Sequence, residues 1–186
     1  VLVTYINQLQ MGSSLLLAPV FAFSAICVFL AMRFGHYVPI QTSSHGIFIH
    51  VLSSITAYAL LCLASLQALI VYAIDNSLKR KRRLLFAAKL PSLQGMETQL
   101  FRLISTGLIA LSIAIASGVI FIDDLFSQHL LHKTVFTLIS WLLLVALLAG
   151  RKIAGWRGTT AAHWTLGAFF VLVIAYLGSK FVLDLV

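Results

Sequence analysis

Charge is scarce in this 186-residue chain: five acidic and thirteen basic residues make up 10% of it, against 61% hydrophobic residues and a mean hydropathy of +1.03. Ordinary water-soluble domains carry about 25% charged residues, so that class is excluded and an integral membrane protein is expected. Cysteine is scarce too. Cys27 and Cys62 both fall inside apolar stretches, where a thiol packs as a small hydrophobe. No Cys-x-x-Cys, His-Glu-x-x-His or Cys/His spacing occurs, so neither a disulfide framework nor a cysteine-built metal site is expected. Internal repeats are lacking, as is any polar stretch long enough for a soluble domain. No basic leader with a small-residue cleavage site opens the chain, which starts at Val1 with VLVTYINQLQM, a stretch too short and polar to cross a bilayer. The expectation is that further N-terminal helices precede this sequence.

What the chain has instead is long apolar runs. The most telling covers residues 46–74, GIFIHVLSSITAYALLCLASLQALIVYAI, without a single Lys, Arg, Asp or Glu. As a helix it would reach about 43 Å, which exceeds the roughly 30 Å hydrocarbon layer. Helical spacing places His50, Ser54, Tyr58, Leu61, Ser65 and Ala68 on one stripe, smaller and more polar than the other sides, and that stripe is expected to face protein. Four further spans are predicted at residues 13–32, bent locally by Pro19, and at 101–122, 134–150 and 161–182. The fold class is therefore an all-α polytopic transmembrane helix bundle, one membrane domain over residues 1–186. In the 101–122 span Ser105, Gly107, Ser112, Ser117 and Gly118 are small enough for close approach, and this helix is expected to touch the one at 46–74.

The net charge of +8 is a sign of orientation rather than of nucleic-acid binding, because the basic residues crowd into loops. Lys79, Arg80, Lys81, Arg82, Arg83, Lys89, Arg102, Arg151, Lys152 and Arg157 fall on one side of the predicted topology, and only Arg33, Lys133 and Lys180 on the other. The positive-inside rule makes the rich side cytoplasmic, with the chain's N-terminus inside and its C-terminus outside. Anionic lipid is the expected neighbour of the KRKRR run, and residues 75–99 form the one loop long enough for a surface-lying amphipathic helix.

The same topology places His36, His45, His50, His129 and His132 toward the outer side and His163 toward the inner. Neutral imidazole can ligate haem or a metal and can carry protons near neutral pH. An ionisable residue within a span is a functional candidate, so His50 leads. A zinc site on His129 and His132 with Asp123 or Asp124 is the weaker alternative, since spacing of i, i+3 is common by chance. Trp141, Trp156 and Trp164 sit near span ends or in a loop, as interfacial aromatics do.

Several stretches in order resemble the cytochrome c assembly, or haem-handling, membrane protein family: HVLSSITAYALLCLASLQALIVY, LPSLQGMETQLFRLISTGLIALSIAIASG, KTVFTLISWLLLVALLAGR, GWRGTTAA and AYLGS. The resemblance runs from about residue 15 to 179 and is to the HemX-like, YpjD-type inner-membrane branch. It implies a haem near the outer face, between two helix-borne histidines and beneath a tryptophan-rich WGxxWxWD loop. By position His50 matches the first histidine, Lys133 the lysine that follows that loop, and Trp141 the tryptophan of the next helix. The chain departs from the pattern at IFIDDLFSQHLLHK, which has no Trp, and at KFVLDLV, which lacks the C-terminal histidine. With one matching histidine, iron would be five-coordinate or take a substitute such as His132.

The expected function is thus a non-enzymatic accessory that binds haem b through His50 and His132 in a bacterial inner membrane. Its partners would be the bilayer, haem and a membrane or cytoplasmic protein, but no nucleic acid. The alternative is a cofactor-free partner subunit that regulates an ion transporter or a haem-synthesis enzyme.

Overall fold

The computed structural model describes residues 45–79, 92–121 and 128–184, with side chains over 45–79, 92–121 and 133–176. The span predicted at 13–32 with Pro19 and Cys27, residues His36, Asp123 and Asp124, the cations from Arg80 to Arg83, and the side chains of His129, His132 and Lys180 lie outside the described ones. The described chain is all helical, in four helices: α1 (His45–Lys79), α2 (Leu93–Phe121), α3 (Gln128–Ile153) and α4 (Gly158–Asp184). Each is long and apolar enough to cross a membrane.

Every helix outruns its apolar core. α1 continues past residue 74 through Asp75 to Lys79, α2 starts at Leu93 rather than 101, and α3 takes in both His129 and His132. The predicted 75–99 loop is therefore shorter, since its two ends belong to α1 and α2. Hydropathy marks where lipid ends, whereas backbone hydrogen bonding carries a helix on until a cap stops it. Ser92 is such a cap: its Oγ accepts from the Gly95 N–H at 3.3 Å and its carbonyl from the Met96 N–H at 3.1 Å.

The stripe read from the sequence faces protein. On α1 Leu61, Ser65 and Ala68 are buried, together with Ala57, Ala64 and Val71, while Phe48, Leu52 and Ile55 turn outward. α1 packs most extensively on α2, the pair expected to touch. Gly107 makes that approach possible, because a Cβ there would stand 2.8 Å from Leu61 Cδ2. Gln67, only 1% exposed, donates from Nε2 to the Met96 carbonyl at 3.1 Å and ties the two helices again. α3 leans on α4, where Ser140 Oγ donates to the Ala168 carbonyl at 2.8 Å, and α4 also packs on α1. Contact between α2 and α3 is sparse by comparison.

The end carrying Lys79, Arg151, Lys152 and Arg157 is locked by two carboxylates. Asp75 of α1 accepts from the Thr159 N–H at 2.8 Å and from Lys79 Nζ at 2.9 Å. Glu97 of α2 accepts from the Gly158 N–H at 2.8 Å, with Arg157 Nε 3.7 Å from its other oxygen. Two helices thus supply the anionic cap of a third, where unpaired N–H groups and the helix dipole both favour negative charge. Gly158 is required here: its φ is +54°, and a Cβ would collide with the Asp75 carboxylate. Just before it, Gly155 at φ +64° reverses the chain, so that the Trp156 N–H reaches the Gly150 carbonyl and the Trp156 ring stacks on Trp164 at 4.9 Å.

Candidate functional site

His50 sits in the second turn of α1, at the end of the bundle away from the paired carboxylates. Its Nδ1 lies 2.8 Å from the carbonyl oxygen of Ala114 on α2. A carbonyl can only accept, so Nδ1 carries a proton, and in the neutral ring it is Nε2 that holds the lone pair. That tautomer is the one in which an imidazole ligates a metal through Nε2, and an outer hydrogen bond of this kind is what orients such ligands.

α2 is shaped around the ring. Gly118 faces it, and a Cβ at that position would stand 3.0 Å from Cε1 and 3.1 Å from Nδ1. Ser117, the next small residue, spends its hydroxyl proton on the carbonyls of Ile113 at 2.8 Å and Ala114 at 3.1 Å, and its oxygen stays 3.5 Å from Nδ1. Ser117 and Gly118 were expected to serve close packing in general; they make space for one particular imidazole.

His50 borders an open cavity of about 140 Å³ between α1, α2 and α3. Ser54 and Tyr58 continue its wall along α1, Leu111, Ile115 and Val119 form the α2 side, and Lys133, Thr134 and Thr137 line it from α3. Tyr58 is fixed from behind, its hydroxyl donating to the Leu172 carbonyl at 3.4 Å and its ring meeting Tyr176 edge-on at 6.2 Å. A dry cavity of about 150 Å³ holds a benzene ring. This one is of similar size and open on one side.

The cavity's chemistry is one imidazole, mostly apolar walls and one lysine. Haem needs those three features for its iron, its macrocycle and its propionates, so the described residues fit one axial position and one propionate contact. His132 directly precedes Lys133 in the first turns of α3, but its side chain lies outside the described ones, as does that of His129. His45 is exposed at the start of α1, and His163 lies near the opposite end, edge-on to Tyr72 at 5.2 Å. Among the described residues no group of three or more His, Cys, Asp or Glu side chains could hold a metal ion. Thr134 and Thr137 were not singled out from sequence; with Lys133 they fall within one helical turn, and that shared face was the available signal.

A side-chain bond links α2 and α3 on the side of the cavity toward the middle of the bundle. Trp141 Nε1 donates to Ser112 Oγ at 2.9 Å, joining α3 to α2 where the two helices otherwise touch little. Trp141 is therefore a cross-link as well as an aromatic surface.

The sequence is similar to several known proteins. Over 173 residues, 92% of this chain and 65% of the relative, the sequence is 31% identical to the inner membrane protein YpjD of Escherichia coli K12. It is 30% identical over 149 residues to an uncharacterized 28.8 kDa protein of Azospirillum brasilense, covering 78% of this chain and 55% of that one. A 90-residue segment, 47% of this chain and 29% of the relative, is 30% identical to the cytochrome c biogenesis protein CcsA of Prochlorococcus marinus MIT 9515. The chain thus spans less than two thirds of the length of these curated relatives. No solved structure matches it. The family profile described as cytochrome C assembly protein matches residues 2–186, and the chain, a multi-pass membrane protein, belongs to that family.

Proposed function

We propose that this chain is a non-enzymatic haem-binding component of a bacterial inner membrane, with an accessory role in cytochrome maturation. The observation that carries the reading is the bond from His50 Nδ1 to the Ala114 carbonyl, which leaves Nε2 as the ligating nitrogen of the neutral ring in a residue that lines an apolar cavity. Bound there, haem b would supply a ligand-binding iron. The chain's own residues would hold it. His50 would supply the ligating nitrogen, Gly118 leaves its ring room, Leu111, Ile115 and Val119 would give the macrocycle apolar contact, and Lys133 would pair with a carboxylate of the group. His132, one residue before Lys133, is the proposed second ligand. The positive-inside rule puts the end with Lys79, Arg151, Lys152 and Arg157 in the cytoplasm, and so the His50 cavity toward the periplasm. The names of the relatives, an inner membrane protein and a cytochrome c biogenesis protein, support the setting.

The test is a reduced-minus-oxidised spectrum with pyridine haemochrome quantification on detergent-purified protein from haem-supplied cells. Near-stoichiometric b-type haem that is lost in His50→Ala, with the variant inserted normally, is the expected result. Equal haem content in the variant removes His50 from the assignment. A haem-free wild-type protein overturns the function and leaves the cofactor-free partner subunit.

A further inference from the structure

On the other side of the Trp141 to Ser112 bond, α2 and α3 separate again. The space between them measures about 610 Å³ and is lined by Ser105 and Leu108 of α2 and by Val145, Leu148, Ala149, Arg151 and Lys152 of α3. It exists because α3 is held by α4, and because Ser105 and Ala149 are too small to fill the gap. Its wall is apolar along the membrane-spanning part and cationic at the mouth.

Those two cations are placed for a ligand. Arg151 is steadied with its guanidinium carbon 3.7 Å from the centre of the Phe101 ring, an arrangement that leaves the edge N–H donors available. The acidic side chains among the described residues, Asp75 and Glu97, are committed to Lys79, Arg157 and the first N–H groups of α4. Water gains little from apolar walls of this kind, whereas an acyl chain fits them, and basic pockets between spanning helices on the positively charged side bind anionic headgroups.

We propose that this groove binds an anionic phospholipid, with its phosphate on Arg151 and Lys152 and one acyl chain lying along Leu108, Val145 and Leu148. The lipid completes the α2–α3 interface that the described side chains leave open. This site is separate from the His50 cavity and does not depend on what binds there.

Native mass spectrometry of the full chain, equilibrated in mixed micelles with equal phosphatidylglycerol and phosphatidylcholine, tests it. The wild-type protein should retain phosphatidylglycerol selectively. Lys152→Ala and Arg151→Gln should each lower that selectivity about five-fold, the increment for one basic residue at an anionic surface. Ala149→Trp keeps both cations but fills the groove, and it should lose the retained lipid altogether. Equal retention of the two lipids by the wild-type protein, or unchanged selectivity in Lys152→Ala, an exposed position that does not disturb folding, overturns the headgroup assignment. Undiminished lipid on Ala149→Trp overturns the groove.

Discussion

Replacing Glu97 with Ala should cost far more stability than removing the cation beside it. Glu97 is 8% exposed and accepts the Gly158 N–H at 2.8 Å, a group buried where α4 begins. Deleting the carboxylate strands that donor, which costs about 1–3 kcal/mol. It also removes a negative charge from the N-terminus of α4, a further loss of about 0.3–1 kcal/mol, or about 2 kcal/mol in partly buried geometry. Relief of the carboxylate's own desolvation works in the other direction and keeps the total near 2–4 kcal/mol. By contrast, Arg157 is 68% exposed and 3.7 Å from Glu97, so Arg157→Ala should cost under about 1 kcal/mol. Glu97→Gln, which keeps an acceptor but loses the charge, should fall between them. Reversible unfolding by dodecyl sulfate in mixed micelles, followed by circular dichroism, measures all three. Since about 1.4 kcal/mol is tenfold in an equilibrium, the expected loss for Glu97→Ala is a factor of about 30 to 900. If Glu97→Ala and Arg157→Ala unfold alike, the carboxylate cap does not hold α4 and the account of this end of the bundle fails.

Two other outcomes follow from the α2 surface. Trp141→Phe removes the donor to Ser112 Oγ and should destabilise by about 0.6 kcal/mol, the mean for hydrogen bonds between spanning helices, with no further loss when Ser112→Ala is added; additive losses in that double-mutant cycle would show that the two residues act separately. Gly118→Leu places a side chain against the His50 ring and should deplete b-type haem in the pyridine haemochrome assay while the protein still inserts, whereas undiminished haem would mean that the ring needs no clearance there.

The transmembrane character and the inward face of α1 were legible because lipid favours them residue by residue: an apolar side chain is tolerated anywhere on a span, whereas small and polar ones gather against protein unless, like the exposed Thr56, they bond their own helix at the Leu52 carbonyl. Ser65, Ala68 and Leu61 were found that way, as was the contact between α1 and α2. His50 stood out as an ionisable group inside a span, but its tautomer did not, since that depends on the Ala114 carbonyl 64 positions away. Asp75 and Glu97 were read as loop residues. Their role needs a partner at the start of a helix far along the chain, and hydropathy counts them only as interruptions. The signal that could have found them was Gly158 in GWRGTT, a glycine where a helix begins. Thr134 and Thr137 were hidden for a different reason, because their face of α3 has meaning only once α3 is set across the His50 cavity.

The capping of α4 by α1 and α2 has a bearing on how the bundle is made. Synthesis delivers α1 and α2 to the membrane before α4, so Asp75 and Glu97 must wait at the membrane boundary without the amide groups they will later receive. A chain cut ahead of Gly158 would leave Glu97 without the amide it accepts from and Asp75 with Lys79 alone. Arrival of α4 thus completes the hydrogen bonding at this end of α1 and α2, which makes the docking of three helices a single event.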